Sequence, residues 1–350
     1  MVCSQPWFLA VVDVPNRDTS WSMVHPSPIF AVDDESLERA ANLLRSGEVC
    51  AFPTETVYGL GADAENEAAV LRIYALKGRP RQNPLIVHVE SLAAARTLCS
   101  DWSTLAERLG QRFWPGPLSL VLPRAPHIPA LVSAGLPSVA IRVPAHPVAL
   151  ALLTKTGRPL AAPSANRSES VSPTTAQHVL RSLPNVPMIL DGGPCRLGIE
   201  STVVSLTQNP PRLLRPGALP LRLLLEEIPD LALPGWEKET PTGALPSPGL
   251  LSRHYAPSAP LFLIRDDDAP SVAQLPRPIG LITHTGLPTV ASQCQDIELL
   301  PSTPEAYATD LYAALHRLDD KQVKSIVVLR PPQDNDWRAV IDRLDRAAAS

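Results

Sequence analysis

Residues 52–89 read FPTETVYGLGADAENEAAVLRIYALKGRPRQNPLIVHV, and few folds accommodate that order of parts. An apolar strand over 49–52 runs into a hydroxyl- and glycine-rich turn, PTETVYGLG. A short helix follows, and at its end Lys77, Arg79 and Arg81 fall within five positions. A second apolar strand, 85–89, carries His88 in its middle. Cations beside flexible turns and hydroxyls suit a triphosphate or another multiply charged anion, whose oxygens need fixed donors and positive charge. Taken alone, Lys77 and Arg79 equally describe a solvated helix end favoured by the helix dipole.

The surrounding chain alternates strands and helices. Asp33 or Asp34 is expected to cap a helix reaching about Ser46; Leu37, Ala40, Ala41 and Leu44 form its apolar stripe and Gly47 its exit. A second helix near 66–76 is expected to stop at Gly78 and Pro80. Short apolar strands are expected at 118–122, 139–143, 160–162, 188–190, 202–206 and 212–214. Helices near 104–112, 147–154 and 175–181 separate some of them. This is the pattern of an α/β domain with a twisted mixed sheet.

From 218 to 257 a short Leu-rich helix alternates with Pro- and Gly-rich turns, the signature of a linker. Strands recur at 261–264, 279–282 and 325–329, with helices over 304–318 and 337–348. That alternation predicts a smaller Rossmann-like α/β domain. It lacks GxGxxG, so dinucleotide binding has little support there. The expected organisation is an N-terminal extension (1–28), a main domain (29–217), the linker (218–257) and the second domain (258–350).

The 40 prolines favour ordered turns, strand ends and a rigid connection. A net charge of −4 excludes a chain that coats nucleic acid electrostatically, though a local basic cleft is compatible with it. Cys3, Cys50, Cys99, Cys195 and Cys294 form no CxxC pair and no zinc spacing, so a reduced, cytoplasmic setting is expected. The opening MVCSQPWFLAVVDVPNRD has no basic stretch, and Asp13 interrupts its apolar run, which makes a poor signal peptide. No apolar run is long enough to span a membrane. There is no GxSxG, no catalytic Cys/His signature and no GxxxxGK[ST], so a nucleotide needs a different cradle.

Further motifs follow in order: FWPGPLSLVL from Phe113, SVAIRVPAHP from Ser138, APSANRSESVSPT from Ala162, DGG…GIESTVV over 191–204, and LLRPG from Leu213. With the opening stretch, this ordered set over 29–217 resembles the YrdC-type threonylcarbamoyl-AMP synthases. SPGLLSRHYAP from Ser247 resembles the linker of that family's long form, which carries an extra C-terminal domain. The resemblance implies that L-threonine, bicarbonate and ATP give threonylcarbamoyl-AMP and pyrophosphate. The product supplies the threonylcarbamoyl group for an adenosine beside the tRNA anticodon. Implied partners are those three substrates and the downstream tRNA threonylcarbamoyl-transfer machinery; direct contact with tRNA stays open. Magnesium is expected on the triphosphate oxygens, where it keeps water and needs few protein ligands.

Residue by residue, Lys77 and Arg79 match the family's KxR pair, and Ser164 and Asn166 its SxN pair, implied to be catalytic. Thr56, His88, Arg142, Ala162 and Ser201 match positions near bound threonine. Lys77, Arg79, Asn83, Ser138, Ser164, Ser172, Arg215 and Ser252 match the ATP side. Arg142 also stands out unaided, because an unpaired guanidinium in the apolar strand VAIRVP is costly. Its fork suits a carboxylate; the alternative is a structural ion pair with an acid not identified from sequence. His88 is either a satisfied core histidine or a threonine contact. Arg215 suits phosphate, adenine or a domain-edge salt bridge. Glu200 reads as a general base or as an anchor for its turn, and Arg81 as a surface charge.

Three departures from the family pattern stand out. Glu169 occupies the usual glycine beside Ser172; Ser252 replaces a tyrosine seen in some members; and the last helix lacks its usual glycine approach. The linker, with Arg253, His254 and Tyr255 clustered, is expected to be a mobile lid, the alternative being a fixed strap. A second functional class is an RNA-binding module without catalysis, resting on the Lys77/Arg79/Arg81 cluster. It lacks RNA-recognition motifs, stacking aromatics and basic charge.

Overall fold

The computed structural model describes residues 28–235, 245–265 and 269–349. Residues 1–27 of the expected N-terminal extension and 236–244 of the linker lie outside the described residues. The first unit opens with β1 (Ile29–Ala31), α1 (Asp34–Arg45), β2 (Cys50–Phe52), β3 (Gly59–Asp63) and α2 (Glu67–Lys77). β4 (Ile86–His88), α3 (Leu92–Thr97), α4 (Thr104–Phe113), β5 (Leu118–Pro123) and β6 (Ser138–Arg142) follow. It ends with α5 (Pro147–Thr156), β7 (Leu160–Ala161), α6 (Ala176–Ser182), β8 (Ile189–Asp191), β9 (Thr202–Ser205), β10 (Arg212–Arg215) and α7 (Leu221–Glu227).

Local chemistry sets the boundaries. Asp33 caps α1 by accepting from the Ser36 amide at 2.7 Å, while the Ser36 hydroxyl accepts from the Asp33 amide, a reciprocal box. Asn66 caps α2, and Gly78 ends it at φ +59°, a conformation glycine adopts without steric cost. That exit leaves Lys77 as the last helical residue and Arg79 just beyond it.

The ten strands of this unit form one mixed sheet, ordered β1-β8-β2-β3-β7-β4-β6-β5-β9-β10. Parallel β4 and β6 pair His88 with Arg142, so two chemistry-bearing side chains arrive in register. β3 was not expected, because its Gly59 and Gly61 read as turn residues. The strand passes close to Phe52: a Cβ on Gly61 would stand 2.7 Å from that ring.

The second unit comprises β11 (Leu261–Ile264), α8 (Ala269–Val272), β12 (Ile279–Thr283), β13 (Asp296–Leu299), α9 (Pro304–Asp320), β14 (Ser325–Leu329) and α10 (Arg338–Ala347). Its sheet is all parallel, ordered β11-β14-β12-β13, a Rossmann-like layer. β13 escaped the sequence reading because charge interrupts it. Those charges are tied down at the sheet edge by Lys321–Asp296 (2.8 Å) and Arg317–Glu298 (2.7 Å).

Leu221 and Leu224 of α7 and Ile228 just after it belong to the first core, and Arg108 binds Glu227 at 2.9 Å, so the opening of the expected linker is packed onto the first unit. The second core does not stop at its own domain. Val57, Val171 and Ile199 of the first unit and Tyr255 of the linker cluster with Leu311, Tyr312 and Leu315 of α9. No helix among the described residues is long and apolar enough to cross a membrane.

Candidate active site

One pocket collects much of the expected chemistry. Thr56, Arg79, His88, Arg142, Ala162, Ser164, Ser201 and Arg215 line it, with Pro248, Gly249, His254 and Tyr255 of the linker. The enclosed space is about 50 Å³. Pro248, Gly249, His254 and Tyr255 thus place the linker directly against this space.

On one wall Arg142 is buried and well held. Its Nη1 donates to the Thr56 hydroxyl at 2.9 Å and its Nε to the Gly116 carbonyl at 3.1 Å. Its Nη2 lies 2.6 Å from Glu55 Oε1, the acid that sequence analysis left unidentified. That contact lacks hydrogen-bond alignment, and Arg142 Nη2 and both Glu55 oxygens keep bonding capacity. The ion pair and the carboxylate-binding reading therefore coexist. His88 has no partner at Nδ1; burial first, then Arg142, pushes its pKa down to about 3. A neutral imidazole thus faces the pocket.

The opposite wall is built by the two family pairs acting on each other. Lys77 Nζ donates to the Ser164 carbonyl at 2.6 Å and to the Asn166 carbonyl, clamping the loop after β7. Asn166 closes that loop by donating to the Ser170 carbonyl at 2.7 Å. Burial, then the charge of Arg79, pushes the Lys77 pKa well below its ordinary value. An incoming polyanion would oppose that shift, since nearby negative charge favours the ammonium. Arg79 is held by the Asn83 side chain (2.7 Å), the Asn83 carbonyl (3.1 Å) and the Pro84 carbonyl (2.7 Å). Burial lowers its pKa to about 10.

Arg215 donates to the Ser201 carbonyl at 2.9 Å and hydroxyl at 3.1 Å, and to the Pro248 carbonyl of the linker at 3.3 Å. It makes carbonyl bonds instead of the domain-edge salt bridge considered above. Arg79, Arg142 and Arg215 thus line the pocket together with one carboxylate, Glu200, in a chain of net charge −4.

Not every expected residue reaches the pocket. Lys77, Asn83, Asn166 and Ser172 stand behind its lining and fix the residues in front. Ser138 is at the opposite end of β6 from Arg142, about 13 Å away at strand rise, and does not line it. Ser252 is exposed on the outer side of the linker. The left-handed turn at Tyr255 (φ +60°) sends His254 and Tyr255 inward instead. Glu169 adopts φ +69°, the conformation that explains a glycine in the family pattern, and its carbonyl accepts from the Ala256 amide at 2.8 Å.

Glu200 is the anchor and not a free base. It accepts from Ser172 (2.5 Å) in its own unit and from Tyr312 (3.0 Å) and Arg343 (2.8 Å) in the second. Burial opposes its ionisation, but Arg343 and then Arg215 override it and bring its pKa down to about 2. A carboxylate with a depressed folded pKa stabilises the fold above its unfolded value, 4.5, and loses that contribution as pH falls toward about 2. Glu200→Gln is therefore expected to flatten the acid side of the stability profile across that window, measured by chemical denaturation. An unchanged slope would remove this role.

Glu200, the carboxylate that lines the pocket, is engaged by Arg343, and the described residues hold no cluster of three metal-ligating side chains.

Comparison with known proteins places the chain in a family. The Sua5/YciO/YrdC family model, described as telomere recombination, matches residues 42–217, and the threonylcarbamoyl-AMP synthase C-terminal domain matches 223–349. Threonylcarbamoyl-AMP synthase of Pyrococcus abyssi is 39% identical over 326 residues, 91% of this chain and 95% of that protein. The Bacillus subtilis enzyme of that name is 40% identical over 335 residues, 91% and 94% of the two chains. The crystal structure of P. abyssi Sua5 complexed with L-threonine matches with a TM-score of 0.83 at 38% identity, covering 91% of this chain and 97% of that one. With both of its units matched and nearly the whole of these relatives covered, the chain is an enzyme of the threonylcarbamoyl-AMP synthase family, in the two-domain form of Sua5.

Proposed function

We propose that this chain condenses L-threonine, bicarbonate and ATP into threonylcarbamoyl-AMP and pyrophosphate, supplying the first step of threonylcarbamoyladenosine formation in tRNA. The observation that carries this is the division of one closed pocket. Arg142, Thr56 and His88 form a carboxylate-sized wall, and Arg79 with Ser164, whose loop Lys77 clamps from behind, forms a phosphate wall.

Threonine docks with its carboxylate on Arg142, beside the Thr56 and Ser201 hydroxyls and the backbone at Ala162. Its neutral amine adds to the bicarbonate carbon, with loss of water, to give a carbamate. A carbamate oxygen attacks the α-phosphorus as the bond to pyrophosphate breaks, and Lys77, Arg79 and Arg215 offset the charge that moves onto the leaving oxygens. Asn83 acts by holding Arg79, and Ser172 by its tie to Glu200. Magnesium, carried on the triphosphate, supplies further charge neutralisation. Ser138 and Ser252 stay candidates for the part of ATP that extends outside the enclosed space. A cytoplasmic setting, where ATP and tRNA meet, accords with the unpaired cysteines among the described residues.

The RNA-binding alternative loses its feature, because Lys77 and Arg79 are only 2% and 8% exposed. Pyrophosphate release tests the proposal. It is expected to require threonine and bicarbonate together with ATP; release unaffected by omitting either would overturn it. The linker provides a second check. Hydrogen exchange over 247–257 is expected to slow when ATP and threonine are added together, since closure over them excludes water from a labile carbamate. Equal exchange with and without substrates would make the segment a fixed strap.

A further inference from the structure

The last helix belongs to the second domain, yet its side chains reach the linker over the pocket. Arg343 is wholly buried. Its Nε meets Glu200 Oε2 at 2.8 Å, its Nη1 meets Asp342 at 2.6 Å, and its guanidinium stacks 4.8 Å over the Tyr255 ring. One turn on, Arg346 is held by Asp342 at 2.9 Å and donates to the Leu251 carbonyl at 2.6 Å. The Arg346 carbonyl accepts from the His254 amide at 3.2 Å. Tyr312 of α9 completes the arrangement, with its ring stacked 5.8 Å from Tyr255 and its hydroxyl on Glu200.

These contacts exceed what fastening two domains requires. A tie between domains works at an exposed rim, whereas burying a guanidinium carries a desolvation cost that is offset only when its partners are fixed. Tyr255 sits at φ +60°, a conformation that persists in a bulky residue only where its surroundings impose it. The Arg343 guanidinium and the Tyr312 ring pack against it from the second domain, beside the His254 ring and Gly249 of the linker itself.

We infer that Arg343 is a positioning residue, through which the second domain latches Tyr255 and His254 over the pocket and, by way of Glu200, sets the Ser172 side of it. The inference rests on the function proposed above for its kinetic consequence, but the latch itself is visible without turnover.

The test uses the full chain with Arg343→Met, which removes the charge and keeps the length. Without substrates, the His254 and Ala256 amides are expected to exchange at least tenfold faster, while those of β5 and β6 keep their protection. KM for ATP is expected to rise at least tenfold, threonine affinity to stay within twofold, and Arg343→Lys to recover part of both losses. Should Arg343→Met fail to fold because it leaves the Glu200 charge buried without its cation, Glu200→Gln/Arg343→Met removes both buried charges and is expected to show the same lid exchange. Lid amides as protected as in the parent, in either folded variant, would overturn the latch. So would accelerated exchange spread evenly over both domains. If the parent chain makes no adenylate, the proposed function fails while the exchange readout still decides the latch.

Discussion

Lys77→Met is expected to lower adenylate synthesis by about two to three orders of magnitude, the loss typical of removing one preorganised charge from a developing anion. The effect should be large because Lys77 acts twice. Its ammonium puts charge directly behind the phosphate wall, and its bonds to the Ser164 and Asn166 carbonyls fix the loop that completes that wall. Methionine keeps the length and apolar stem, and the residue is already buried in a site that disfavours charge. The loss should therefore fall on turnover, with the thermal transition little changed. Single-turnover formation of adenylate at saturating ATP checks this; a folded variant turning over like the parent would remove Lys77 from the chemistry.

Arg142→Ala is expected to weaken threonine binding by about ten- to a hundredfold, on the order of 1.5–3 kcal/mol, because a charge-assisted bond is lost in a nearly dry pocket. ATP affinity should change little. The same substitution strands Glu55, 2% exposed, without its cation, and leaving a buried charge unpaired costs roughly 3–5 kcal/mol of stability. The two losses separate in Glu55→Gln/Arg142→Met, which should regain stability without regaining threonine. Calorimetry with threonine and denaturation of both variants checks this. Threonine affinity equal to the parent's in the folded double variant would show that Arg142 does not hold the carboxylate.

Much of this site was legible in the sequence, for reasons local to particular residues. Arg142 declared itself by charge within an apolar strand, and Gly78 marked where the helix had to stop beside Lys77 and Arg79. Their shared pocket was legible only through the ordered family motifs, because strand order is set by long-range pairing. What stayed hidden was the identity of partners far along the chain. Glu55 pairs with Arg142 across the sheet, and Glu200, read as an anchor for its own turn, finds Tyr312 and Arg343 at 112 and 143 positions' distance. β3 was concealed because glycines that serve a close strand crossing resemble glycines that make turns. Ser252 and His254 show the same limit at finer scale, since one is exposed and the other lines the pocket although both lie in one short polar run.

The central claim is that this pocket joins three substrates into one mixed anhydride, and mass spectrometry of the reaction tests it most directly. Purified full-length chain would be incubated with ATP, magnesium, L-threonine and carbon-13 bicarbonate. The account predicts threonylcarbamoyl-AMP with the heavy carbon in its carbamoyl group, formed in step with pyrophosphate. Folded protein that yields neither product, or yields an adenylate without the heavy carbon, would contradict it.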